Sequence, residues 1–123
     1  MANTFFDTLI NKWGTHEFSS GSYTGDDFNS FARSFKTAMN KLTQNVGAEL
    51  VNYNKGHYYI SGFIKRWDKY VYFSISDVRH LSMWWIEELL VRTAKHAKDY
   101  TGGANRYTEL NEADELIDSL LNF

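Results

Sequence analysis

The spacing of apolar residues along this chain shifts from a helical rhythm to an alternating one and back, and those shifts mark its elements. Phe6, Leu9, Ile10 and Trp13 recur at helical spacing before Gly14, with Asn3 placed to cap them and Asp7 in the first turn, so a short helix is expected. The Ser-, Gly- and Thr-rich stretch from His16 to Gly25 reads as a loop anchored by Phe18 and Tyr23. Thr24, Asp26 and Asp27 then open a second helix. Its apolar positions Phe28, Phe31, Phe35, Ala38, Met39, Leu42 and Val46 fall on one stripe that ends at Gly47.

From Ala48 the rhythm has a period of two, which is that of strands. Glu49 to Tyr53 reads as a strand, and Asn54-Lys55-Gly56 as a hairpin loop whose Asn and Gly suit positive φ. His57 to Trp67 reads as the next strand, and Asp68-Lys69 turns into a third, Tyr70 to Ser76. Links this short require antiparallel pairing, because a parallel crossover needs a long connection. Ser82 then caps a third helix that buries Ile86, Leu89, Leu90, Thr93 and Ala97. Within it Trp84 and Trp85 point about 100° apart and cannot share one core. Tyr100 to Asn105 reads as an exposed loop, and Asn111 caps a final helix, Glu112 to Leu121, with Ala113, Leu116, Ile117 and Leu120 on one face. The expected architecture is one α+β domain over residues 1–123, a three-stranded antiparallel meander with helices before and after, in the order ααβββαα.

The alternation also sorts side chains by face. Val71, Phe73 and Ile75 share the core face with Tyr58, Ile60 and Ile64, and Gly62 suits close helix contact there. The other face receives Tyr70 and Tyr72 from the third strand and His57, Tyr59, Phe63, Lys65 and Trp67 from the second. An aromatic and basic face has three readings: a second core layer under the first or last helix, a protein-binding hot spot, or a platform on which bases stack. The Gly-Phe fingerprint of RNA-recognition modules is missing from it.

Length and composition bound the function. At 123 residues and 14.3 kDa the chain has room for one core, and 43% hydrophobic with 23% charged residues describes a folded chain rather than a disordered one. Zero cysteines exclude disulfides, thiolate nucleophiles and cysteine metal sites. No apolar run approaches the ~20 residues of a membrane span, and the first residues lack a basic stretch followed by an apolar one, so a cytoplasmic protein without membrane contact is expected.

The net charge of −2 conceals a segregation. Residues 1–27 hold one lysine against four acids, residues 28–106 twelve Lys and Arg against six acids, and residues 107–123 five acids and no base. Arg92, Lys95, His96, Lys98 and Arg106 concentrate beside a Gly-Gly loop flanked by Tyr100 and Tyr107. They either complement the negative end of the third helix or grip phosphates or a partner's carboxylates.

Catalysis finds no foothold in spacing. The pairs His96 with Asp99 and His80 with Asp77 lie one helical turn apart and could polarise a proton, but such pairs are more often surface hydrogen bonds or caps. No HExxH, His-x-His, EF-hand, nucleophile-elbow or P-loop pattern occurs. No cofactor, metal ligand set or catalytic residue is expected, and the chain reads as a non-enzymatic binding protein.

The stretch Val91-Arg-Thr-Ala-Lys-His-Ala-Lys-Asp-Tyr-Thr-Gly-Gly-Ala-Asn-Arg-Tyr-Thr-Glu-Leu110 resembles segments of small accessory proteins from phages and mobile elements of Gram-positive bacteria. In size, acidic ends and lack of enzyme signals the whole is similar in type to anti-defence inhibitors such as anti-CRISPR proteins. That resemblance implies binding to a nuclease effector complex and occlusion of its working site. Binding of single-stranded or structured nucleic acid by the aromatic and basic sheet face is the alternative expectation.

Overall fold

A computed structural model describes residues 3–13, 26–56, 59–75, 86–100 and 103–122. Their order is α1 (Asp7–Trp13), α2 (Asp26–Asn45), β1 (Glu49–Lys55), β2 (Ile60–Arg66), β3 (Lys69–Ile75), β4 (Leu89–Ala94), β5 (Arg106–Thr108), a 3-10 turn (Leu110–Glu112) and α3 (Ala113–Leu121). The class is α+β, as the spacing predicts. The sheet, however, has five antiparallel strands in the order β1-β2-β3-β4-β5, not three, and three helices are described rather than four.

α2 forms where its stripe predicts, and it seats Phe31, Phe35, Ala38, Met39 and Leu42 in the core. α1 lays Leu9 and Trp13 against it and Phe6 precedes it into the same core, with the Trp13 and Phe31 rings edge-on and the Phe6 and Phe35 rings 6.0 Å apart. α3 contributes Ala113, Ile117, Leu120 and Leu121. The inward sheet face closes this core with Ile60, Ile64, Val71, Phe73, Ile75, Leu89 and Val91. Each such side chain contributes roughly 1.5–3 kcal/mol by leaving water.

Within the segment expected to be a third helix, Leu89–Ala94 form the strand β4. Leu89 and Val91 are fully buried on the core face while Leu90 and Arg92 take the other, and β4 pairs with β3 from Tyr70↔Ala94 to Ser74↔Leu90. The helical stripe and the alternation compete over Leu89 to Thr93, and the free edge of β3 decides for the strand by offering a hydrogen-bond ladder. Arg106–Thr108, next to the expected loop, then adds the edge strand β5 to β4.

The hairpins also differ in detail. Asn54 and Lys55 pair within β1, and positive φ falls instead on Asn52, in a bulge where Asn52 and Tyr53 together face one residue of β2. β2 begins at Ile60 rather than His57, and its turn into β3 is Trp67-Asp68, with Trp67 at φ 57°. Gly62 does meet a close neighbour, but that neighbour is the sheet itself: a Cβ there would lie 2.8 Å from the Phe73 ring and 3.3 Å from the Tyr53 backbone.

Side-chain polar bonds tie the ends of the chain together. Asn3 accepts from the Phe5 amide as a cap does, and donates to the Leu110 carbonyl and to Asp114. Asn111 is not the cap of α3; it lies inside the 3-10 turn, and Glu112 precedes α3 without a side-chain cap bond. Arg66, at the end of β2, donates to the Val46 carbonyl at 2.9 Å and to Asp118 at 2.7 Å, so one acid of the acidic C-terminal segment does neutralise a central base. The expectations for His16 to Gly25, the Phe28 side chain, His57, Tyr58, Asp77, His80, Ser82, Trp84 and Trp85 lie outside the described residues.

Candidate functional site

The sheet's outward face is where most of the chemistry expected from the sequence meets. Register puts Phe63 opposite Tyr72, Lys65 opposite Tyr70, and Arg92 opposite Tyr72 from the other side, all on one face. Phe63 is fully buried and Tyr72 nearly so, yet among the described residues no helix packs over them. Among the described residues, the chain that leaves β4 packs on them through Tyr100.

That connection folds back across the sheet. The Tyr100 ring stands edge-on to Tyr72 of β3 and to Phe63 of β2, with centroids 5.9 and 5.4 Å away, and the Ala97 carbonyl accepts from the Asn52 side chain of β1 at 2.7 Å. The bulge in β1 explains this reach, since it turns Asn52 outward to the connection and Tyr53 inward to Phe73 and to the Ala32 carbonyl. Burial pushes the Tyr53 hydroxyl well above the usual tyrosine range.

Arg92 holds the connection in place. Its guanidinium stacks 4.3 Å from the centre of the Tyr72 ring and donates to the Tyr100 carbonyl and to the Asn105 side chain. It is therefore committed within the chain, whereas the sequence places it among partner-binding residues. Gly103 presses its backbone against β4, where a Cβ would lie 2.6 Å from the Thr93 carbonyl. With φ at +70° it is also a position that favours glycine.

What the connection shows to solvent is basic. Lys95, His96 and Lys98 are exposed, and the turn that carries them closes through the Lys95 amide on Asp99 and the Lys98 amide on His96 Nδ1. His96 and Asp99 therefore share a turn and not a helix, and with no helix here the reading of these bases as complements of a helix end falls away. Tyr100 is 56% exposed despite its two ring contacts. Tyr107, on β5 opposite Leu90, is 62% exposed on the same outward face, while Arg106 alternates to the other side of that edge strand.

The remaining expected residues divide. Tyr70 is half-buried, with the Lys65 ammonium 5.9 Å from its ring centre, at the end of the sheet where the Trp67 turn lies. Tyr59 is exposed but leans on Gly56 in the β1–β2 connection, apart from the group. Trp67, which alternation assigns to the outward face, is instead a turn residue at the hairpin tip, 84% exposed, and belongs to neither face.

Among the described residues no three of His, Asp and Glu gather as a metal site, and no helix is long and apolar enough to cross a membrane. No family model, curated protein or solved structure matches the chain.

Proposed function

We propose that this chain is a non-enzymatic binding protein that docks on an acidic protein surface through the outward sheet face. The observation that carries the reading is the chain after β4: residues 95–100, tied to the sheet, with exposed Lys95, His96, Lys98 and Tyr100, and with exposed Tyr107 on β5. Tyrosines held by packing supply contact area at small entropic cost, and lysines around them steer an acidic partner. Pre-organisation by Arg92 and Asn52 lowers the ordering cost of binding.

In biological terms the reading is an inhibitor or accessory factor of a phage or mobile element, directed at a host defence nuclease. Nuclease centres that hold metal ions with carboxylates present acidic, concave surface of the kind this face complements. A single nucleic-acid strand is the second reading, favoured by Trp67 and by Lys65 over Tyr70, which together offer π-faces beside positive charge.

Affinity capture from nuclease-treated bacterial lysate, with the native chain and with a Lys95→Glu/Lys98→Glu/Tyr107→Ala variant, tests the proposal. The protein reading expects a partner retained after nuclease treatment and lost with the variant. Binding of labelled oligothymidine, weakening with salt at a log-log slope of about −0.7 per phosphate contact, together with no retained protein, favours the strand instead.

A further inference from the structure

We propose that the groove between α1 and α2 is a binding site for a small organic anion with a flat apolar body and a carboxylate head. The site lies on the helical layer, away from the outward sheet face, and does not depend on the reading of that face.

Helix geometry builds it. On α1, Thr8 and Lys12 are one turn apart and share a rim, while Leu9 and Trp13, also one turn apart, form the floor. On α2, Ser34 and Lys41 lie two turns apart and make the facing rim. The floor is apolar, with half-buried Phe5 beside the almost fully buried Leu9 and Trp13, whereas both lysines are exposed. The groove holds about 330 Å³. That volume is at the small end of the range for ligand sites.

Charge selects the occupant. Two ammonium groups line the groove and no carboxylate does, among the described residues. The Lys12 ammonium stands 5.1 Å from the Trp13 ring centre, so it sits where the positive rim meets the aromatic floor. A cation finds no counter-charge in this groove and a bare inorganic anion leaves the apolar floor uncovered. An acid with an aryl or alkenyl body satisfies both, with the hydroxyls of Thr8 and Ser34 available to its head.

Cinnamate, a small flat aryl acid, is the probe, and amide chemical shifts of the full chain are the readout. The expected result is saturable shifts at Thr8, Lys12, Ser34 and Lys41, with a dissociation constant of about a millimolar, as befits a ligand of this size. Neutral cinnamamide, and cinnamate with a Lys12→Gln/Lys41→Gln variant, should each bind about tenfold more weakly or worse. Both substitutions are at exposed positions, and the variant's spectrum reports directly that its fold is kept. Equal binding of acid and amide, unchanged binding by the variant, shifts away from the groove, or no saturation by about 10 mM overturns the proposal. So does inorganic phosphate binding as tightly as cinnamate, because the apolar floor then contributes nothing.

Discussion

Truncating Arg92 to alanine separates a residue that holds the protein's own chain from one that waits for a partner. The substitution removes two hydrogen bonds, to the Tyr100 carbonyl and the Asn105 side chain, and the stacking on Tyr72. The bonds are solvent-exposed, so each is worth about 1 kcal/mol, and a cation over an aromatic ring near the surface adds about 0.5–1. If Tyr100 then leaves Phe63 and Tyr72, two edge-on contacts worth about 0.5–1.5 kcal/mol each go with it. The total is about 3.5–6 kcal/mol, to be set against a whole-protein stability of about 5–15. Much of it falls on local opening of residues 95–100, so amide hydrogen exchange is the assay. The Lys95 amide, bound to Asp99 at 2.9 Å, should exchange about a hundredfold faster or more, while amides of β2 and β3 change far less. Arg92→Lys should not rescue it, because an ammonium cannot both stack flat on Tyr72 and reach two acceptors. Native exchange at Lys95 in Arg92→Ala, with Tyr100 still ordered, refutes the clip and returns Arg92 to the surface as a contact residue.

Other expectations follow from single contacts. Gly62→Ala should cost about 1–3 kcal/mol by denaturant unfolding, because its Cβ meets the Phe73 ring at 2.8 Å, and Phe73→Leu in the same chain should recover part of that loss; additive costs contradict this. Trp67→Asn should raise the urea midpoint, by about 1 kcal/mol in stability, since asparagine tolerates φ of 57° better and the exposed indole gives up little packing; a lower midpoint contradicts it. Tyr53→Phe should cost about 1 kcal/mol at neutral pH by losing the bond to Ala32. Because burial raises the Tyr53 pKa in the folded state, the unfolded chain loses its proton first as pH climbs past about 10, and native stability then falls by up to about 1.4 kcal/mol per pH unit from this group. The phenylalanine variant lacks that slope, so its disadvantage should shrink between about pH 10 and 11; a constant gap contradicts the buried hydroxyl.

Local periodicity made some elements legible and left others hidden. α2 and the facing of β2 and β3 could be read because Phe31, Phe35 and Leu42, or Val71, Phe73 and Ile75, satisfy one period only and are buried on one side. β4 could not, because Leu89, Leu90 and Thr93 suit a helix and a strand alike, and the deciding partner is the β3 edge, well removed in sequence. The residue types of the candidate site were visible as well, since Phe63, Tyr72, Arg92 and Tyr100 all stood out as aromatic or basic. Their division of labour was not, for Arg92 meets Tyr72 only through strand pairing, and Tyr100 meets Phe63 only because the connection doubles back. The bulge that lets Asn52 hold Ala97 has no local mark beyond an asparagine that tolerates positive φ.

The packing of Tyr100 over the outward sheet face is the claim on which the proposed binding surface depends, and nuclear Overhauser contacts of the Tyr100 ring test it directly. With ring centres 5.4 Å from Phe63 and 5.9 Å from Tyr72, the Tyr100 ring protons should show strong cross-peaks to both rings and upfield-shifted resonances. A Tyr100 ring with unshifted resonances and no cross-peaks to either would show the face open, and the fixed basic surface would not exist.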